Sequence, residues 1–104
     1  MMIFIPPRQM GYTVYTKSGC PYCVKVKDLF LSKGITDIQY MDCDGVLADD
    51  KEGFLAFIRR LTGVSYRTFP IVFYDGKLLG GFIDTRAHFE AEAEKDLAFD
   101  GVEF

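Results

Sequence analysis

Apolar and polar positions along this chain follow two periods, and the switches between them mark the predicted elements. Residues 12–16 (Tyr-Thr-Val-Tyr-Thr) are β-branched and aromatic, which suits a buried strand. Pro21 then sits where a helix can begin, at the position that needs no backbone N–H. Val26, Leu29, Phe30 and Lys33 continue at helical spacing, and Gly34 is placed to cap the C-terminus. Residues 35–41 alternate as a second strand, with Ile35, Ile38 and Tyr40 prominent. An acid-rich turn, Asp42–Asp50, leads to a second helix marked by Phe54, Phe57, Ile58 and Leu61 and closed by Gly63. Ile71–Tyr74 and Lys77–Leu79 flank Asp75-Gly76, the strongest short hairpin signal. After Gly80-Gly81, Asp84 or Thr85 can cap a last helix with Phe89, Ala93 and Leu97 on one face.

The order β-α-β-α-β-β-α defines an α/β fold. Its opening strand, helix and strand favour a parallel pair joined by a right-handed crossover, and the hairpin adds antiparallel strands. A four-stranded mixed sheet flanked by helices is the economical result. With 104 residues the chain fits one domain, 1–104, with 1–11 and 98–104 peripheral. The apolar fraction is 49%, enough for a core that needs no disulfide scaffold.

A net charge of −3 gives no electrostatic footprint for nucleic acid. No apolar run reaches the roughly 18 residues of a membrane span, so no membrane partner is expected. The opening Met-Met-Ile-Phe-Ile has no preceding basic residues and meets Pro6-Pro7, which argues against a signal peptide. The expected compartment is the cytoplasm.

Three cysteines, Cys20, Cys23 and Cys43, are an odd count. In a reducing compartment the close pair is catalytic or metal-binding before it is structural. If Cys20 lies at a helix N-terminus, unpaired N–H groups and the positive end of the macrodipole favour its thiolate. Lys17 can add positive charge there. Cys23 is about one turn deeper on the same face, close enough to attack a mixed disulfide formed on Cys20. A structural zinc site usually takes four Cys or His ligands. Here three cysteines and His88 are the candidates, with no second ligand beside His88, so no metal is expected. A disulfide closing so small a loop restricts the unfolded chain little, which weakens a purely structural role. Cys43 reads as a bystander at the end of the second strand, and the acids of 42–52 do not match a calcium loop.

Cys20-Pro-Tyr-Cys23, after a strand and before a helix, resembles the glutaredoxin family in its dithiol class, within the thioredoxin superfamily. The resemblance runs from about Tyr12 to Phe89 and implies a thioredoxin-like fold. The long acidic approach to the second helix and the Gly-Gly-Phe ending look most like the small bacteriophage and viral members. Thr68-Phe69-Pro70 resembles the family's Thr-Val-Pro, whose proline is cis and faces the cysteine pair. That would present the Phe69 backbone to an extended peptide, as an added strand would; in the family it captures the cysteinyl part of glutathione. Gly80-Gly81-Phe82-Ile83-Asp84 resembles the segment that grips the γ-glutamyl end. Ile83 departs from the polar residue common there. Lys17 matches the family lysine that approaches the other carboxylate. Arg67 can share that work only across a loop, Gly63–Thr68, longer than the family's, and Tyr22 is placed to pack over the sulfur.

The resemblance thus implies a glutathione-dependent thiol–disulfide oxidoreductase, working in electron transport as a monomer. Cys20 attacks, Cys23 resolves, and Lys17, Tyr22, Arg67, Thr68, Phe69, Pro70, Gly81, Phe82 and Asp84 contact glutathione. Glutathione serves as reducing cosubstrate with no bound cofactor. The other partners are disulfide-bonded or glutathionylated proteins, with ribonucleotide reductase as the family-based candidate. One rival is a thioredoxin-like electron donor reduced by a flavoprotein; the absence of Trp, and so of Trp-Cys-Gly-Pro-Cys, weighs against it. The other is an iron–sulfur carrier, against which Pro21 counts, since cluster-binding relatives have Ser or Gly there.

Overall fold

The computed structural model of the chain describes residues 4–91. Its elements run β1 (Tyr12–Thr16), α1 (Pro21–Ser32), β2 (Ile38–Asp42), α2 (Asp44–Thr62), β3 (Ile71–Tyr74) and β4 (Lys77–Gly80). A last helix, α3, begins at residue 82 and continues to 91. The four strands form one mixed sheet in the order β2-β1-β3-β4. β1 and β2 are parallel, whereas β1–β3 and β3–β4 are antiparallel. This is the expected thioredoxin-like architecture.

Alternation along β1 and β3 divides the core between the two faces of the sheet. Val14 and Val72 pack with Val26 and Phe30 of α1, joined by Phe82 and Phe89 of α3. Tyr15, Ile71 and Phe73 point the other way, to Phe54 and Ile58 of α2. Residues 4–11, unassigned from sequence, cover that second face. Phe4 meets Phe54 edge-on at 5.9 Å, and the Tyr15 hydroxyl donates to Ile5 O at 2.7 Å. Arg8 reaches Asp37, and its own N–H donates to Thr13 Oγ1.

Three boundaries differ from the sequence reading. The second strand begins at Ile38, because Ile35 completes the cap of α1: Gly34 N–H bonds Leu31 O and Ile35 N–H bonds Phe30 O. Gly34 takes φ +72° there, the left-handed turn that ends a helix in a Schellman motif. The acid-rich turn 42–50 is largely helical. Asp42 Oδ1 accepts from Asp44 N–H at 2.9 Å, Asp44 lies in the first turn where negative charge is favoured, and Val46 and Leu47 pack on the core. Asp50 leaves the helical region (φ −156°, ψ 67°), so α2 is two helices across a kink. Its Oδ1 then accepts from Gly53 N–H and caps the second piece.

The third difference is the start of α3, earlier than Asp84 or Thr85. Asp84 instead reaches back to accept from Gly81 N–H at 3.1 Å, the reciprocal half of a capping box. Thr85 is fully buried and donates its hydroxyl to Gly81 O at 2.8 Å. The predicted hairpin is present, with Asp75 and Gly76 both at positive φ as a type I′ turn requires. Ala93, Leu97 and the tail 98–104 lie outside the described residues.

Candidate active site

β1 is central and its neighbours lie on opposite sides, so the chain leaving its C-terminal end enters the crevice where the sheet's connections diverge. That segment carries the cysteine pair. Cys20 is the N-cap of α1 (φ −112°, ψ 100°) and Pro21 follows at the first helical position. Cys20 Sγ accepts from Cys23 N–H at 3.2 Å, so the sulfur occupies the place of a capping oxygen. In the reduced protein that N–H and the helix dipole stabilise a thiolate. The two cysteines are joined as a disulfide, with Cα atoms 5.2 Å apart. Cys20 is 9% exposed and Cys23 4%, which leaves Cys20 the accessible sulfur.

The Phe69–Pro70 peptide is cis, and Phe69 O lies 3.5 Å from Cys20 Sγ. Pro70 is buried behind it. A groove of about 280 Å³ runs beside the pair, lined by Tyr22, Thr68, Phe69, Gly81, Phe82, Ile83 and Asp84. Tyr22 is half-exposed and tilts toward Phe82, ring centroids 6.0 Å apart. Lys17 places Nζ 5.7 Å from the centre of the Phe69 ring and lines the adjacent recess with Thr16, Ser18, Lys27, Tyr40 and Asp42. Arg67 is elsewhere. It lines a separate recess with Glu52, Arg59 and Ser65, so it is not among the residues the groove brings together.

Two contributors escaped the sequence reading. The Tyr66 hydroxyl hydrogen-bonds Thr68 and lies against Gly81, where an added Cβ would stand 3.2 Å from it. Burial, and secondarily the Asp84 charge, push its phenol up. The only signal was an aromatic two residues before the Thr-Phe-Pro run, with nothing to say which way it points. Asp44 binds Ser18 just upstream of the motif. Cys43, expected at a strand end, is the buried N-cap of α2 and makes no side-chain cap bond. Burial, with Asp42 and Asp44 nearby, raises its thiol to about 12, which keeps it protonated and unreactive. His88 meets the Tyr12 hydroxyl at 3.0 Å and is not among the residues that line the groove.

The arrangement can do one kind of chemistry directly: an accessible sulfur accepts or donates a disulfide bond, and a second sulfur one turn away exchanges with it. Comparison with known proteins agrees. The Glutaredoxin family model matches residues 12–79, more than half of the chain. Glutaredoxin-C6 of rice (Oryza sativa subsp. japonica) is 42% identical over 74 residues, which cover 71% of this chain and 62% of the rice protein. Glutaredoxin 1 of Escherichia coli K12 is 33% identical over 84 residues, 75% of this chain and 91% of that one. The crystal structure of a buckwheat glutaredoxin–glutathione complex superposes with a TM-score of 0.62 at 31% identity, covering 86% of this chain and 78% of that chain. The bacteriophage or viral subtype rests on the sequence pattern alone. The chain belongs to the glutaredoxin family of thiol–disulfide oxidoreductases, and Cys20 and Cys23 are its redox pair.

Proposed function

We propose that the reductant is glutathione and that the groove beside Cys20 is where it binds. The observation that carries this reading is the convergence of Tyr22, Thr68, Phe69, Gly81, Phe82 and Asp84 on one groove, where Tyr22 lies between the two cysteines in sequence and Phe69 O stands 3.5 Å from Cys20 Sγ. The buckwheat relative was solved with glutathione bound. An extended tripeptide laid along Phe69 would pair with its backbone, as strand addition does. Its γ-glutamyl carboxylate would meet the N-terminus of α3 and its ammonium would face Asp84. Lys17, above the Phe69 ring, is close enough to serve the glycyl carboxylate. Arg67 would have to leave its recess to share that contact.

In the two-cysteine route, Cys20 thiolate attacks a protein disulfide, forming a mixed disulfide and releasing one protein thiolate. Cys23 thiolate then attacks Cys20 Sγ, closing the Cys20–Cys23 bond and releasing the second. One glutathione opens that bond and leaves Cys20 glutathionylated; a second regenerates Cys20 and departs as oxidised glutathione. In the one-cysteine route Cys20 takes glutathione directly from a glutathionylated protein. Family potentials of about −200 to −230 mV make glutathione a competent donor. We assign the protein to the cytoplasm as a monomer, with ribonucleotide reductase among the disulfides it serves.

Cys20→Ser is expected to abolish both routes. Cys23→Ser is expected to lose protein-disulfide reduction and keep deglutathionylation, and equal loss of both would overturn the division of labour. Parallel turnover assays with glutathione plus glutathione reductase, or with thioredoxin reductase, test the electron source. Activity only with the latter would replace this reading by that of a thioredoxin-like donor.

A further inference from the structure

Ser18 lies two residues before Cys20, in the loop 17–20 that joins β1 to α1. Its backbone N–H donates to Asp44 Oδ1 at 2.8 Å, and its hydroxyl donates to Asp44 Oδ2. Asp44 is the first residue of α2 and is itself steadied by the bond from its N–H to Asp42 Oδ1. One residue earlier, Cys43 N–H donates to Thr16 O at 2.8 Å. The end of β1 and the start of the redox loop are therefore fastened to the start of α2, at Cys43 and Asp44. The two Ser18 hydrogen bonds, and then nearby Lys17, hold the Asp44 carboxyl below its ordinary range, so it is ionised at neutral pH.

Cys20 Sγ lies between two elements, 3.2 Å from Cys23 N of α1 and 3.5 Å from Phe69 O, before β3. Gly19, between Ser18 and Cys20, takes φ +67° in open space, so it supplies a bend and no packing of its own. We propose that Ser18 and Asp44 form a latch that places the Cys20 sulfur for attack, with Asp44 a positioning residue acting through the redox loop. This inference rests on Cys20 as the attacking thiolate and on nothing about glutathione. The Asp44 charge opposes a thiolate nearby and offsets Lys17, while the latch geometry favours one, so the two effects have opposite sign. Asparagine separates them: its Oδ1 still accepts from Ser18 N–H, and its amide can donate to Ser18 Oγ.

The test uses the reduced full-length chain and two probes, hydroxyethyl disulfide for the attack rate and iodoacetamide for the pH profile of Cys20 alkylation, with thermal unfolding alongside. Asp44→Ala is expected to slow attack about tenfold, as small misplacements of a reacting group do. Its alkylation midpoint should lie above that of Asp44→Asn, which restores most of the rate. Ser18→Ala deletes only the hydroxyl contact and should slow attack about threefold, the equivalent of one net hydrogen bond. Coincident rates and midpoints for Asp44→Ala and Asp44→Asn would overturn the latch, and so would a Ser18→Ala protein that matches the parent. If Asp44→Ala does not fold, Ser18→Ala decides alone. Neither probe is glutathione, so failure of glutathione as reductant leaves this result readable.

Discussion

Phe54 is the residue through which the core reaches the site, and truncating it separates stability from reactivity. It is 2% exposed and meets four rings, with centroids at 5.9 Å (Phe4), 6.0 Å (Tyr15), 6.3 Å (Phe57) and 6.1 Å (Phe69). Phe54→Ala removes a buried aromatic and should cost about 3–5 kcal/mol, a large share of the roughly 5–15 kcal/mol that holds a domain of this size. Phe54→Leu keeps most of the volume and loses the ring pairs, worth about 0.5–1.5 kcal/mol each beyond area. Leucine recovers part of that contact, so the net loss should be about 1–2 kcal/mol. Urea unfolding of both variants, with m unchanged, measures these losses. A loss below about 1 kcal/mol for Phe54→Ala would refute the core assignment. The Phe69 ring stacks on Phe54 at an interplanar angle of 14° while its carbonyl faces Cys20. Phe54→Leu should therefore also slow hydroxyethyl disulfide reduction about threefold, a modest positioning loss. Lost stability with an unchanged rate would sink that coupling and spare the core.

Gly81→Ala would set a methyl 3.2 Å from Tyr66 Oη and 3.6 Å from Pro70 O, raising KM for glutathione several-fold at a stability cost of about 1 kcal/mol; an unchanged KM would count against the groove. Ile83→Thr offers a hydroxyl at the N-terminal turn of α3 and should lower that KM; no change would mean this side chain does not touch the ligand. Cys43 should resist iodoacetamide at pH 8 in the native protein while reduced Cys20 reacts, because burial raises its thiol to about 12. Since that folded value lies above the unfolded one, the stabilising contribution is complete below about pH 8.5 and declines as pH climbs toward the folded value. Cys43→Ala should flatten that alkaline decline in urea unfolding, and an unflattened curve would refute the assignment.

Regular elements were legible from periodicity because each buries one stripe. The run 12–16, the spacing of Val26 and Phe30, and Asp75-Gly76 each pointed to what the structure contains. The misread segments are those where one residue serves two elements. Ile35 looks like strand by composition but is used as the apolar end of a helix cap. Asp42 and Asp44 look like loop by charge, yet their carboxylates serve a helix start and a loop 26 residues earlier. The cysteine pair was legible because its chemistry is local, one turn of one helix. Tyr66, Asp44 and the placement of Arg67 were not, because they depend on how a loop returns to the sheet, and no spacing in the sequence encodes that path.

The distance from Cys20 to Phe69 is set by strand register more than by either loop. α1, which carries the sulfurs, packs on one face of the sheet; Phe69 packs with α2 on the other. The two layers share the sheet, at whose centre Tyr15 of β1 pairs with Ile71 of β3. That pairing brings Pro70 to the level of Thr16 and Phe69 to the level of Lys17, beside the redox loop. A slip of one residue would turn Val14 and Tyr15 onto the wrong faces and is excluded by burial. A slip of two would keep every face and still move the Phe69 carbonyl about 7 Å along the strand, away from its place beside the sulfur. What forbids it is shape: Tyr15, Phe54 and Phe73 are interlocked edge-to-face in one layer, while Val14 and Val72 fit against Val26 in the other. The exchange site is thus held in place by the same jigsaw that makes the domain stable.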